Sequence, residues 1–228
     1  MVYFIHQMKK GKQTTMKVIV LDTETTNSIE EPICYDIGWA VVETETGEIL
    51  KSESYAVAEV FLDKEWMGTA YFAEKIPSYW EEIKSGDRKL ARLFTIKKAL
   101  TADCKAYGIK EIYAHNARFD YLSCNLTQRY LTSSKYRFFF PYGVKVCDTL
   151  KMARQAFGAD EAYCGFCKAN DYRTKNGQNR FTAEILYRFL IGDNTFEEVH
   201  KGLDDVRIEK EILCECLRRG VTDGLLWK

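Results

Sequence analysis

The stretch KVIVLDTE, from Lys17 to Glu24, decides the expected fold. Its β-branched and apolar residues run directly into polar ones, a pattern typical of a buried central strand. Two further strand-like segments, Ile33 to Val42 and Ile49 to Val57, follow on either side of a turn at residues 45–48. This order predicts a hairpin or meander that pairs with the first strand.

The rest of the chain alternates between helical and strand-like patterns. We predict helical structure from Thr69 to Tyr107 with a break at 85–87, a strand from Glu111 to His115, a helix from Arg118 to Leu131, a strand from Val144 to Cys147, a helix over 149–157 capped by Asp148, and helices from Phe181 to Leu190 and from Asp204 to Arg219. Three strands followed by alternating helices and strands predict an α/β three-layer domain, with a mixed central sheet flanked by helices.

Composition indicates one globular domain. Hydrophobic residues make up 46% of the 228 and charged residues 29%, which argues against a disordered chain. With only three prolines and no Gly/Ser-rich linker, we assign residues 17–228 to a single domain and residues 1–16 to an N-terminal extension. The order of basic and apolar residues in that extension is the reverse of a secretory signal, and no apolar run is long enough to cross a membrane. We therefore expect a cytoplasmic protein.

Net charge gives no support to nucleic-acid binding. Lys+Arg and Asp+Glu both number 33, so the formal charge is zero, and a nucleic-acid binder would need a local basic surface or bound metal. The segment 172–180 could supply such a surface through Arg173, Lys175 and Arg180, although a solvated loop is the alternative. The chain has eight cysteines, and their pattern does not favour a disulfide framework. The pairs 164/167 and 214/216 do not favour a zinc site either, so we expect reduced thiols.

Asp22 and Glu24 are the first candidate site residues. They stand two residues apart near the end of the first strand, so their side chains share a face, about 6–7 Å apart at about 3.3 Å per residue. Two carboxylates in this position can bracket a hard cation. The alternative is that both are solvated residues where a strand passes into a loop.

A second candidate segment, HNARFD at 115–120, lies where a strand passes into a helix. Asp120 is either a third carboxylate at the same sheet edge or an acidic residue favoured there by the helix dipole. His115 and Asn116 are candidate substrate contacts. Phe119 could stack on a base or fill the core.

The third segment, HKGLDD at 200–205, is constrained by helix geometry. Five residues at 3.6 per turn separate two side chains by about 140°, so His200 and Asp205 could not converge from within one helix. We therefore place His200 in the loop that enters the helix and Asp205 in the first turns. Asp204 is either an N-cap or a solvated neighbour.

Four carboxylates brought together cannot all stay ionised without cations, because like charges raise one another's pKa. Oxygen ligands select hard ions such as Mg²⁺ or Mn²⁺. Two such ions about 3.5–4 Å apart could clamp a scissile phosphate, and a histidine with a pKa near 6.5 could take the proton from the attacking water.

The order Asp-x-Glu, Asn-x-x-Phe-Asp and His-x-x-x-x-Asp resembles the DEDDh exonucleases, the superfamily that contains the proofreading subunit of bacterial DNA polymerase III, ribonuclease T and oligoribonuclease. The resemblance runs from about Val18 to Leu217 and includes LDTETT (21–26), YDIGWAVV (35–42), HNARFD (115–120), CDTLKMAR (147–154) and HKGLDDV (200–206). It implies a ribonuclease H-like fold and a metal-dependent 3′→5′ exonuclease.

The resemblance also implies roles for single residues. Asp22, Glu24, Asp120 and Asp205 would hold two divalent ions, Mg²⁺ or Mn²⁺, His200 would be the general base, and Thr25 would present its backbone to the terminal nucleotide. The expected substrate is single-stranded DNA rather than RNA, with a DNA polymerase as a possible partner. An exoribonuclease that trims RNA 3′ ends and a non-catalytic nucleic-acid- or polymerase-binding module are the alternatives.

Three features depart from the family pattern. Asn27 stands where glycine is usual, and Gly202 replaces the usual alanine in the third motif. Residues 70–108 form a helical insertion that is long for a minimal proofreading domain, and substrate choice could reside there.

Overall fold

The strand β1 (Lys17–Asn27) lies inside a six-stranded mixed sheet. A computed structural model describes residues 16–133, 135 and 137–226 of the chain, so the extension predicted over 1–16 falls outside it except for Met16. The other strands are β2 (Pro32–Glu43), β3 (Ile49–Val57), β4 (Lys89–Ala91), β5 (Glu111–Ala114) and β6 (Lys145–Asp148), in the sheet order β4-β3-β2-β1-β5-β6. Strand β1 is antiparallel to β2 and parallel to β5.

Helices cover both faces of this sheet. In chain order they are α1 (Ala58–Phe61), α2 (Lys64–Met67), α3 (Ile76–Ser85), α4 (Leu93–Tyr107), α5 (Arg118–Leu131), α6 (Thr149–Phe157), α7 (Glu161–Ala169), α8 (Ala183–Ile191) and α9 (Gly202–Arg218), with a short 3₁₀ turn at Ala73–Lys75. The predicted α/β three-layer fold with a mixed central sheet is confirmed. No helix in the described part of the chain is long and apolar enough to cross a membrane.

The two faces of β1 face two separate cores. Ile19 and Leu21 pack into a cluster that includes residues of α4 and α5, whereas Val18 and Val20 pack into one that includes residues of α6, α8 and α9. Because side chains alternate along a strand, Asp22 continues the face that looks toward α9. Thr23 continues the face that looks toward α5. Neighbouring residues at the end of β1 therefore project toward different helices.

Most predicted elements are present with small shifts at their ends. Strand β3 and helix α5 have the predicted bounds, and Asp148 caps α6 by accepting a hydrogen bond from the Leu150 amide at 2.9 Å. Helix α9 begins at Gly202 rather than at 204. The N-cap interpretation of Asp204 is wrong, because Lys201 occupies that position; the half-exposed Asp204 pairs with Arg207 at 3.0 Å.

Two local features differ from the prediction. The run predicted as helical from 69 to 107 contains β4, which pairs with β3 in parallel, and three residues are too few for a periodic pattern. Helix α7 was not predicted at all. The segment 70–108 also includes α4, whose Leu93, Ile96 and Leu100 are buried in the main core. At least this part of the expected insertion is integral to the domain.

Candidate active site

Four carboxylates meet between the end of β1 and the start of α9. Asp22 and Glu24 project from the face of β1 that looks toward this helix, and Asp205 lies in its first turn. Glu209 follows Asp205 by one helical turn and therefore lies on the same side of α9. Asp22 is half-buried, whereas the other three side chains are buried. So many buried acids need either protons or a cation.

Three of the candidate site residues lie close enough to share one ion. One potential ligand atom from each of Glu24, His200 and Asp205 lies within 4.8 Å of the other two. The Oδ1 atom of Asp205 is buried and has no hydrogen-bond partner among the described residues. A buried carboxylate oxygen without a donor is costly in a protein interior, and a bound cation would satisfy it. This donor set therefore fits a divalent ion.

Burial and mutual repulsion raise the pKa values of these acids. Burial, followed by repulsion from Asp36 and Asp205, raises the pKa of Glu24 to about 9. Burial, followed by repulsion from Glu198, raises the pKa of Asp205 to about 8. The pKa values of Asp22 and Glu209 are also raised, first by burial and then by neighbouring carboxylates. Cations would allow the whole group to ionise at neutral pH.

Asp120 approaches the cluster from the other face of β1. Its Oδ1 atom accepts a hydrogen bond from the Thr23 hydroxyl at 2.9 Å, and its side chain is buried. Burial raises its pKa to about 7. Asp120 contributes to the raised pKa of Asp22, so the two interact, but it is not part of the close group formed by Glu24, His200 and Asp205.

His200 lies in the loop that enters α9, as helix geometry predicted. Its backbone is left-handed, with φ at 56°, and its ring stacks on Phe72 with centroids 4.2 Å apart and planes 8° apart. A left-handed non-glycine residue is strained and is often found at functional sites. Burial, followed by the charge of Lys75, lowers the pKa of His200. The neutral imidazole that this favours can accept a proton.

The sequence and the fold can be compared with those of known proteins. No protein-family model and no curated protein matches the sequence. The structure of the nuclease domain of 3′hExo, a DEDDh family member, bound to rAMP, aligns with 96% of this chain. The alignment covers 100% of the 3′hExo domain, with 14% sequence identity and a TM-score of 0.62. The chain has the fold of the DEDDh exonucleases.

Further solved structures agree with this fold assignment. A 3′-exonuclease that recognises the histone mRNA stem-loop matches 91% of this chain with 14% identity and a TM-score of 0.59, and this chain spans 65% of that protein. E. coli exonuclease I in complex with single-stranded DNA matches 86% of this chain with 12% identity and a TM-score of 0.52, over 39% of its own length. The expected ribonuclease H-like, DEDDh-type fold is confirmed.

Both small departures from the DEDDh motif pattern have a structural reason. Asn27 has a φ of 72°, a left-handed conformation that glycine adopts freely and that asparagine tolerates better than most residues. A Cβ atom on Gly202 would lie 2.8 Å from the Gly38 nitrogen and 3.0 Å from the Asp22 carbonyl oxygen. The backbones of β1, β2 and α9 are therefore packed directly against one another beside the site, and Gly202 permits that approach.

A buried polar network fixes the start of α9 within this fold. The Asp36 carboxylate on β2 accepts hydrogen bonds from the Gly202 amide at 3.1 Å and from the Tyr79 hydroxyl at 2.7 Å, and it pairs with Arg88. Glu82 of α3 pairs with Arg88 at 2.8 Å and also with Lys201. Residues of the expected insertion thus hold the segment that carries His200 and Asp205.

The four predicted substrate contacts occupy different positions. Phe119 and the exposed Asn116 line a cleft of about 1200 Å³ that also contains Asp22, Glu24, His200 and Asp205. His115 lines it too, but its ring nitrogens already contact the Phe181 carbonyl at 2.7 Å and the Thr149 hydroxyl at 3.1 Å. Burial lowers the pKa of His115, so the neutral ring donates from Nε2 to the carbonyl. Thr25 is buried, and its carbonyl accepts from the Tyr71 amide at 3.3 Å.

Glu209 and Glu198 were missed by the sequence reasoning. Glu209 lines the cleft, and its Oε2 atom accepts a hydrogen bond from the His115 amide at 3.1 Å. Its position four residues after Asp205 could have identified it, because residues i and i+4 share a helix face. Glu198 also lines the cleft, and burial with the neighbouring Glu184 raises its pKa to about 7. It lies in a loop, where no periodic pattern marks it.

Proposed function

We propose that this protein is a metal-dependent exonuclease that hydrolyses the last phosphodiester bond at the 3′ end of a nucleic acid. The observation that carries the proposal is the convergence of Glu24, His200 and Asp205 in an open cleft, with a buried Asp205 oxygen that lacks a partner. A hard cation, a proton acceptor and room for a polymer are the requirements of phosphodiester hydrolysis. The DEDDh fold supports the same reaction class.

Each residue has a distinct role in this proposal. Asp22, Glu24 and Asp205 would hold the catalytic divalent ion, Mg²⁺ or Mn²⁺, and Asp22 and Asp120 would hold a second ion. Such ions, when bound, stabilise the negative charge on the attacking and leaving oxygens. His200 accepts the proton of the attacking water. Phe72 holds its ring in place by stacking, and a ring nitrogen lies within 4.8 Å of a carboxylate oxygen of Glu24 and of Asp205.

Asn116, in the turn before α5, and Phe119, in the first turn of α5, would contact the terminal nucleotide, because both line the cleft. Phe119 offers an aromatic face on which any base can stack. His115 would not offer a free ring nitrogen to the substrate, because both are already hydrogen-bonded; its backbone amide holds Glu209 instead. Thr25 would contribute its backbone, as the family resemblance implies.

The preferred polymer is part of the proposal. The structural neighbours include a protein that recognises stem-loop RNA and one in complex with single-stranded DNA, so proteins of this fold bind both polymers. We favour single-stranded DNA on the resemblance to the proofreading subunit, and a DNA polymerase remains a predicted partner. A 3′-trimming exoribonuclease is the alternative on the same site.

A time course on matched 5′-labelled DNA and RNA oligomers tests the proposal. The reactions contain Mg²⁺, Mn²⁺ or a chelator, and Asp22→Asn serves as the inactive control. We expect a ladder that shortens from the 3′ end only with metal and only with the wild-type protein, and the faster polymer identifies the substrate. If the folded protein cleaves neither polymer with either metal, the catalytic proposal is wrong and a binding module becomes the better account.

A further inference from the structure

A short hairpin between α7 and α8 forms part of the cleft wall. We call residues 172–180 the arginine hairpin. The Thr174 amide donates to the Gln178 carbonyl at 2.8 Å, the Arg180 amide donates to the Tyr172 carbonyl at 3.0 Å, and Arg173 bridges to Asn179. The hydroxyl of the buried Tyr163 donates to the Arg180 carbonyl at 2.5 Å. The segment is thus a hydrogen-bonded hairpin anchored to the core, with most of its residues exposed to solvent.

The arginine hairpin brings positive charge into the cleft that contains the acids. Arg173 and Arg180 line this cleft together with Arg154 of α6. Within the described part of the chain, none of the three guanidinium groups forms an ion pair with a carboxylate. Arginine is the residue best suited to phosphate, because its planar donors match two phosphate oxygens.

Arg173 carries the strongest sign of an absent ligand. Its Nε atom is shielded from solvent and has no hydrogen-bond partner among the described residues. A buried N–H group without an acceptor is costly, and a ligand that draws the Arg173 side chain to an acceptor in the cleft would remove that cost. Gln178 and Asn179 also line the cleft, and the Asn179 side-chain amide donates to the Cys164 sulfur at 3.2 Å. Lys175, at the tip of the hairpin, does not line the cleft.

The cleft therefore contains both acids and arginines without carboxylate partners, although the chain as a whole has zero formal charge. In the proposed function, the phosphodiester that is cut is held at the acids. A longer strand supplies a second phosphate. We propose, on the basis of the proposed function, that the arginine hairpin and Arg154 bind a phosphate of the substrate strand on the 5′ side of the bond that is cut. The substrate class is then an oligonucleotide with at least two phosphodiester bonds.

The test compares a dinucleotide, which has one phosphodiester bond, with a ten-nucleotide strand of the same polymer. For the wild-type protein we expect kcat/KM to be at least about 10-fold higher on the longer strand, the effect of one charge-assisted contact. Arg173→Gln and Arg180→Gln should remove most of that advantage through KM and leave the dinucleotide rate unchanged. Lys175→Gln removes a charge from the same hairpin outside the cleft and should behave as wild type on both substrates.

Several results would overturn the inference. Equal losses on both substrates in the arginine variants, no loss on either, or the same loss in Lys175→Gln would each do so while leaving the exonuclease proposal intact. Thermal unfolding of every variant identifies misfolding, and Arg180→Gln replaces an exposed side chain if Arg173→Gln fails to fold.

If wild type cleaves neither substrate, the proposed function fails, and fluorescence anisotropy with the labelled ten-nucleotide strand takes over the test of the hairpin. In that measurement, weaker binding by Arg173→Gln than by Lys175→Gln supports the phosphate site. Equal affinities contradict it.

Discussion

Replacing Asp36 with asparagine should destabilise the protein and lower its activity together. Asp36 and Arg88 are 0% and 3% exposed, and their ion pair lies beneath the Gly202 amide. Breaking a buried pair by removing one partner costs about 3–5 kcal/mol, because the other charge remains in the interior. Arg88 keeps its contact with Glu82 at 2.8 Å, so the lower end, about 3 kcal/mol, is expected.

This free energy corresponds to a measurable change in melting temperature. For a chain of this size, 1 kcal/mol shifts Tm by about 2–4 °C, so Asp36→Asn should lower Tm by about 6–12 °C. Because the Asp36 carboxylate also fixes the Gly202 amide, between His200 and Asp205, kcat should fall while KM changes little. Circular dichroism melting and steady-state kinetics on the same samples measure both effects.

A double-mutant cycle with Arg88→Gln tests the cause. The double variant should lose less stability than the sum of the single variants, because no unpaired buried charge is left. Arg207→Gln is the matched control, since its pair with Asp204 is mostly exposed and worth less than about 1 kcal/mol. A Tm for Asp36→Asn within 2 °C of wild type, or strictly additive losses, would refute this account of the network.

Three further outcomes are expected. His200→Ala should lower kcat by roughly 10²–10⁴ if His200 is the general base, and a single-turnover rate near that of wild type would reduce it to a bystander. Gly202→Ala should lower Tm, because the added Cβ would meet backbone atoms of Gly38 and Asp22. Gly165→Ala, at an exposed helical position with open space around it, should instead raise the free energy of unfolding by about 0.5–1 kcal/mol. A Gly202→Ala variant more stable than Gly165→Ala would contradict the packing argument. Finally, the pKa values of Asp120, Asp205 and Glu24 in the folded protein are about 7, 8 and 9, above their ordinary values of about 4. Between pH about 4 and pH about 9, the metal-free folded state therefore binds more protons than the unfolded state. Stability of the metal-free protein should therefore fall as pH rises from about 4 to about 9, and Mn²⁺ should reduce this slope; denaturant unfolding across that range measures it, and a slope of opposite sign would contradict it.

Local patterns predicted the parts of the fold that depend on local physics. Strand β3, which follows the predicted turn at residues 45–48, and helix α5 have the predicted bounds. The two-residue spacing of Asp22 and Glu24 fixed their common face, and the angle between helical positions placed His200 before α9 and Asp205 within it. Those placements follow from strand and helix geometry alone.

Contacts between distant residues could not be predicted in the same way. Asp36 and Gly202 are 166 positions apart, and nothing local in either segment indicates that they meet. The placement of the arginine hairpin against the cleft depends on Tyr163 and on the packing of α7 and α8, and α7 was not predicted. Glu209 is the intermediate case, because its spacing from Asp205 was visible but no partner for it was.

The most direct test of the central claim measures removal of the terminal nucleotide as a function of Mn²⁺ concentration, for wild type and for Asp205→Asn. Asp205 has the buried oxygen without a partner, so it is the residue most dependent on a bound cation. We expect the wild-type rate to rise with Mn²⁺ and to vanish with chelator. The folded Asp205→Asn variant should stay about 10²–10³-fold slower at every concentration, as expected when electrostatic stabilisation of the transition state is lost. A wild-type rate that resists the chelator, or an Asp205→Asn rate equal to wild type, would contradict the metal site.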